Sequence, residues 1–332
     1  MQTIGFYATL PMSSTKLLVW ETELPHGDIY EIHYRNICRA PLNFMSISID
    51  HISVRSILTR TSGYLRTVSS HSLQPYIGCS YGRTMCGRSC YVQHHPFLLK
   101  KRQWGDFLTV KDNAADVYRA TVDRESKWAR RRGSFSIFMS STTDPFIPHD
   151  HKYSVSREVL GAMVSKPPDI LIIQTHTHRV VRYFALLKKL STRCQVRIHI
   201  SIESDINQLP GLPPPASSVD KRIAAAHFLR RHGLTVVVTM APLLPILDPE
   251  NFIKRIAHVS DAIVIDHYIG GDGSKTGHRT KKTPLPNAIN QIDSKANHLS
   301  YRNHIIRIAQ NYKPGRVGYG MDGFAGRYLP MQ

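Results

Sequence analysis

The chain has 332 residues, 42% of them hydrophobic, with 20 Gly and 20 Pro, which allows one large domain or two ordinary ones and excludes collagen-like and globally disordered classes. No run approaches the roughly 18 apolar residues of a membrane helix; the best, Val236 to Leu247, is broken by Pro242 and Pro245, and the first Lys is only Lys16, so a cytoplasmic chain without membrane span or secretory leader is expected. Forty-three Lys and Arg against 24 Asp and Glu give a net charge of +19, which draws nucleic acid first and a membrane surface second, unless the basic face only keeps the protein in solution.

Residues 1–54 read as a poorly defined N-terminal extension, followed by one domain over 55–332. Residues 1–50 carry three basic and five acidic side chains, so the remainder holds +21. A strand, counted as the first of the parallel units, is expected to end at Tyr76-Ile77-Gly78. Directly after it come three of the five cysteines, Cys79, Cys86 and Cys90, while Cys38 and Cys194 stand apart. An odd count without a leader argues against a disulfide framework. Trp104 and Trp128 lie in a basic stretch from Lys100 to Arg132; an amphipathic helix over 116–131 packed on the domain accounts for them more simply than base stacking.

From Ser134 onward, short β-rich runs alternate with amphipathic ones. The runs are Phe135–Met139, Asp169–Ile173, Val196–Ile202, Leu234–Met240 and Ala262–Ile265. Between them Val180, Phe184, Leu187 and Leu190 recur at helical spacing, as do Val219, Ile223, Ala226 and Leu229, with Gly233 as a terminating glycine. Asp248-Pro249-Glu250 has the form of a helix start. The run from Ile170 to Ile202 contains six Lys and Arg and no acid. Strand starts every ~25–40 residues are the period of βα units around a parallel sheet, at least six of them. Such a sheet gathers its reactive groups at the carboxyl ends of its strands. Ser140 to Asp144, Gln174 to His176, Ser201 with Glu203, Thr239 to Pro245 and Asp266-His267 fall there. Gly270 to Lys275 lacks phosphate-loop spacing and reads, with the residues to Lys282, as a flexible basic loop.

Three thiolates on one loop have two readings. With His94 or His95 as a fourth ligand they make a zinc knuckle; alone they hold a 4Fe–4S cluster with one iron open. The loop's place at the mouth of a parallel barrel favours the cluster, and its small residues Gly78, Gly82, Gly87 and Ser89 let the backbone wrap closely.

Several segments, in order, resemble the radical S-adenosylmethionine (SAM) superfamily, and more narrowly the spore photoproduct lyase and its DNA repair photolyase-like relatives. They are Pro75 to Cys79, Cys90-Tyr91, Ser140 to Pro145, Ile198 to Ile202, Val219 to Ile223 and Val238 to Pro242, within a match from about Ser56 to Ile265. The resemblance implies an α/β fold, a partial (β/α)6 TIM-like barrel. It implies one 4Fe–4S cluster on Cys79, Cys86 and Cys90, with SAM bound at its open iron and cleaved by one electron to a 5′-deoxyadenosyl radical. SAM is expected against Ser140, Thr142, Asp144, His176, Ser201 and Ala241, with Tyr91 and Ser141 catalytic. DNA carrying pyrimidine lesions is the implied substrate, and a flavodoxin or ferredoxin the implied electron donor. The chain departs from the family in its cysteine spacing: six residues separate Cys79 from Cys86 and three separate Cys86 from Cys90, against three and two. Ser141 stands where the lyase has a hydrogen-donating cysteine, and His176 where it has a SAM-contacting lysine. The alternatives are a zinc-bearing nucleic-acid-binding protein, a radical SAM enzyme acting on RNA or another non-DNA substrate, and a metal-free scaffold.

Overall fold

The computed structural model describes residues 47–95, 99 and 102–331. The chain divides into Met1–Met45 and Ser46–Gln332, and all the described residues lie in the second unit. Cys38, Lys100 and Lys101 fall outside them.

An eight-stranded sheet organises the unit, in the order β11-β10-β9-β8-β7-β6-β3-β2. Its strands are β2 (Leu58–Arg60), β3 (His71–Leu73), β6 (Ser136–Met139), β7 (Ile170–Thr175), β8 (Gln195–Ser201), β9 (Thr235–Met240), β10 (Ala262–Ile265) and β11 (Val317–Gly318). All neighbours from β3 to β11 pair in parallel; β2 pairs antiparallel with β3. The helices include α1 (Met85–Ser89), α2 (Ala114–Arg130), α3 (Val155–Ser165), α4 (Phe184–Ser191), α5 (Val219–Arg231), α6 (Pro249–His258), α7 (Leu299–Tyr312) and α8 (Gly320–Ala325). This is the expected α/β architecture, a partial barrel.

Strands β6, β7, β9 and β10 are largely apolar because both faces are covered, while β8 alternates polar and apolar residues. Their two-residue alternation divides the core. Phe138, Ile172, Val237 and Val264 cluster with Phe324 of α8 and with Val68. Their neighbours Ile137, Met139, Leu171, Ile173, Val236, Val238, Ile263 and Ile265 belong to the larger core that the helices cover. Val68 precedes β3 and Phe324 follows β11, so side chains from near both edges of the sheet meet inside the curve. Arg327 reinforces this closure by donating to the Thr67 carbonyl at 3.3 Å. Buried His199 packs in the same interior, 5.9 Å from the Phe324 ring; burial pushes its pKa down to about 3 and keeps it neutral.

The helix signals act as read. Asp248 caps α6 by accepting from the Asn251 N–H at 3.1 Å, with Pro249 in the first turn. Gly233 follows α5 at φ 76°. One strand assignment needs correction. Tyr76–Gly78 is a strand, β4, but not the first of the barrel; that is β3. A separate sheet, β1-β5-β4, holds it between the cysteine loop and β5 (Phe107–Lys111). Pro75, which has no N–H to extend a ladder, separates the two strands. β1 (Ser48–Ile52), inside the stretch read as an extension, pairs in parallel with β5.

Candidate active site

The cysteine loop is shaped by glycines packed backbone to backbone. A Cβ on Gly82 would stand 1.9 Å from the Gly105 Cα, and one on Gly87 2.1 Å from the Tyr81 carbonyl oxygen. Gly78 has φ 85°, which a side chain rarely adopts. The long interval between Cys79 and Cys86 is taken up by a turn, closed by Thr84 N–H to Tyr81 carbonyl at 2.9 Å, before α1 begins. The Met85 N–H then anchors α1 to the Pro214 carbonyl at 3.1 Å.

Cys79, Cys86 and Cys90 all line one cavity of about 530 Å³, a size suited to a nucleotide-like cofactor. Burial pushes the Cys90 thiol up to about 11, and Cys79 and Cys86 are raised as well; their neighbouring sulfurs add to the rise at both. A cationic centre would reverse that balance and hold them as thiolates. Among the described residues no three His, Cys, Asp or Glu side chains converge closely enough to hold one metal ion. His95 lines this cavity; His94 is not among its lining residues. Cys194 lies elsewhere. It precedes β8, at the amino end of the barrel, and its thiol donates to the Leu190 carbonyl at 3.6 Å.

The strand ends supply the rest of the wall. Ser140, Ser141, Thr142, Asp144, His176, Ala241 and Tyr91 line the same cavity as the cysteines. Ser140 sits at φ 78°, in the left-handed region, and its buried hydroxyl has no hydrogen-bond partner among the described residues. Trp104 Nε1, Ser89 Oγ and Gln174 Oε1 on the same wall are also buried without partners. Buried polar atoms left unpaired mark where a ligand's polar groups belong. The Ser141 hydroxyl accepts from Gln74 Nε2 at 2.7 Å. Asp144 is spent on the protein itself. Its carboxylate accepts from Thr175 Oγ1 at 3.0 Å, from the His176 N–H at 2.7 Å and from the Phe146 N–H at 2.9 Å, tying the β6 loop to the end of β7. Ser201 lies behind the wall, fully buried, its hydroxyl held by Gln174 Nε2 at 2.6 Å and Thr239 Oγ1 at 3.1 Å. Gln174 faces the cavity in its stead.

Glu203, read from the sequence only as a strand-end polar residue, and Arg222, from the segment Val219 to Ile223, both line the cavity. Arg222 reaches back from α5 to donate to the Ser201 carbonyl at 2.6 Å and to Glu203 Oε2 at 2.5 Å. Burial pushes the Glu203 carboxyl up, but the Arg222 guanidinium and the His176 ring outweigh it and hold it down to about 2. An ionised carboxylate only accepts, so His176 Nδ1, 3.0 Å from Glu203 Oε1, carries a proton. The pair therefore fixes the ring and its tautomer. A pairing partner 27 residues away, just past the next strand, leaves no local spacing to read.

Tyr64 enters from the segment before β3 and donates to Asp266 Oδ2 at 2.7 Å; both line the cavity. Tyr91 is raised by burial first and by Cys90 second, so its phenol stays protonated. The segment from Gly270 to Lys282 is folded rather than open. Buried Asp272 accepts from the Ser274 N–H at 2.9 Å and the Thr280 N–H at 2.8 Å, which places Arg279 and Thr280 on the cavity wall. Arg102 is held instead by Asp50 at 2.6 Å and the Phe107 ring at 3.7 Å. Trp128 packs between Arg60 and Arg132 at 4.1 and 4.5 Å, away from the cavity.

No family model matches the chain, and no curated protein matches it. Solved structures do. A cysteine-to-alanine mutant of spore photoproduct lyase with a dinucleoside spore photoproduct matches with a TM-score of 0.57 at 16% identity, over 82% of this chain and 81% of that one. A cysteine-to-serine mutant of the same lyase gives 0.54 at 13%, over the same shares. The cobalamin-dependent SAM radical enzyme OxsB gives 0.38 at 12%, over 66% of this chain and 30% of that one. The chain has the fold of spore photoproduct lyase, a partial barrel of the radical SAM type.

Proposed function

We propose that the protein is a radical SAM enzyme acting on nucleic acid. The observation that carries this reading is the meeting of three thiols, Cys79 buried and Cys86 and Cys90 half-buried, with strand-end polar groups that have no partner among the described residues, on one cavity, in this fold. Cys79, Cys86 and Cys90 would hold a 4Fe–4S cluster, which when bound supplies the electron that cleaves SAM to a 5′-deoxyadenosyl radical. The protein's residues position and exclude. Ser140, Gln174 and His176 offer polar contacts to SAM, and Glu203 with Arg222 keeps His176 oriented. Trp104, Phe138 and Phe324 line the cavity with apolar surface. An acidic electron donor of the flavodoxin or ferredoxin class is the fitting reductant for so basic a chain. Anaerobic reconstitution with iron and sulfide, then reduction with SAM, is expected to release 5′-deoxyadenosine; a reconstituted chain that releases none overturns the reading.

DNA is the substrate we infer, from the charge and from the lyase likeness in fold. Lys281 and Lys282 belong to the segment that supplies Arg279 and Thr280 to the cavity wall. Reversing both charges is expected to weaken duplex binding at low salt and to flatten the salt dependence by about 0.9 in log–log slope for each phosphate no longer neutralised. Affinity and slope that do not move would count against binding across this mouth. Ser141, on the cavity where the lyase resemblance puts a cysteine, bears a hydroxyl whose O–H is too strong to return a hydrogen atom readily. The reaction is therefore of lyase type only if another group donates; Ser141→Cys should raise any dimer-lesion repair above the wild-type level.

A further inference from the structure

A second cavity, of about 250 Å³, lies beside the first. Its walls come from the segment after β6, Phe146 to Ser154 with Arg157 of α3, and the segment after β7, Arg179 to Tyr183. It therefore belongs to the same carboxyl-end face as the larger cavity. One partition separates them. The Tyr81 hydroxyl, on the large-cavity side, donates to the carbonyl of Phe146, on the small-cavity side, at 3.2 Å.

Three guanidinium groups line this cavity, those of Arg157, Arg179 and Arg182, with His151 beside them. The carboxylate among the lining residues is Asp150, and it is already occupied. It accepts from the Tyr76 and Tyr183 hydroxyls and from the Ser156 N–H at 2.7 Å. Among the described residues none of the three arginines forms an ion pair. Arg157 is positioned instead by the Tyr183 ring, 5.0 Å away, and by the Arg182 carbonyl at 3.5 Å. Arg179 and Arg182 belong to the acid-free run from Ile170 to Ile202, and neither lines the larger cavity. Three like charges around one hollow repel one another until an anion neutralises them, and the planar guanidinium fork fits phosphate oxygens in pairs.

We propose that this cavity binds a backbone phosphate of the nucleic-acid strand whose reacting base enters the larger cavity. The strand crosses the Tyr81–Phe146 partition, and the phosphate fixes its register. The proposal takes the substrate class from the reading above and is independent of the cluster.

The test measures binding of a fluorescent single-stranded oligonucleotide to the full chain across a salt series. Arg157→Gln combined with Arg182→Gln is the informative variant, because both side chains are exposed and the fold does not depend on them; thermal melting checks this. The expected result is an affinity at low salt about tenfold weaker and a log–log slope shallower by about 0.7, the single-strand value for one phosphate. The corresponding double Lys variant, which keeps the charge, should retain the slope and recover part of the affinity. No oligonucleotide binding by the parent chain, or an unchanged affinity and slope in the Gln variant, overturns the proposal. An unchanged slope together with slower reduction by an acidic donor protein also overturns it and assigns the cavity to that donor. Because binding is read without the cluster, a chain that makes no 5′-deoxyadenosine but shows the arginine-dependent slope loses the cofactor reading and keeps this site.

Discussion

Arg222→Leu is expected to lower the unfolding free energy by about 3–5 kcal/mol, the usual cost of stranding a buried charge whose partner is removed. Both side chains of the pair are nearly inaccessible, Arg222 at 4% and Glu203 at 9%. The double variant Arg222→Leu, Glu203→Gln should recover most of the loss, because no charge is left stranded. The pH dependence fixes the sign. Glu203 ionises far more readily folded than unfolded, so its contribution is fully present above its unfolded value of about 4.3 and is lost as pH falls through about 2. With Arg222 gone, burial raises the folded carboxyl, and the variant's deficit should shrink as pH falls. Thermal melting between pH 3 and 7 checks both. A single variant no less stable than wild type at pH 7 would mean that the Arg222–Glu203 pair carries no net attraction.

Gly82→Ala is the second large effect. The new methyl would meet backbone, the Gly105 Cα at 1.9 Å, not the movable end of a side chain. Relief requires the cysteine loop and the Trp104–Gly105 turn to separate, at about 1–3 kcal/mol. Cys79 and Cys86 flank Gly82, so the displacement reaches the thiols. Iron content after reconstitution should fall well below that of Gly161→Ala, a control where a Cβ meets nothing within 4 Å. Equal iron in the two would mean that the glycine packing does not set the loop's shape.

The barrel was legible because most of its central strands are short apolar runs and its helices carry their own start and stop signals. Ala262–Ile265 has the same ends in the sequence reading and in the fold, and Asp248 caps where its neighbours said it would. Tyr76–Gly78 was placed in the wrong sheet because three apolar residues look the same in either; only Pro75 and the pairing with β5 decide. The cysteines and the Ser140–Asp144 segment were found because they cluster in sequence. Glu203 was read only as a strand-end residue, and Arg222, Tyr64 and Trp104 were given no role in the site; Arg222 and Tyr64 reach the cavity from other elements. Ser201 shows the converse: the end of a strand can be read from sequence, but whether its last side chain meets the cavity or packs behind it, as Ser201 does against Gln174 and Thr239, depends on the neighbouring strands.

Iron content and visible absorbance after anaerobic reconstitution, compared across single Cys→Ala variants, test the central claim most directly. The account predicts about four irons per chain in the wild type and in Cys194→Ala, whose thiol lies at the other end of the barrel, and loss of the cluster in each of Cys79→Ala, Cys86→Ala and Cys90→Ala. A cluster retained in Cys86→Ala, a cluster lost in Cys194→Ala, or one tightly held zinc in place of iron would contradict it.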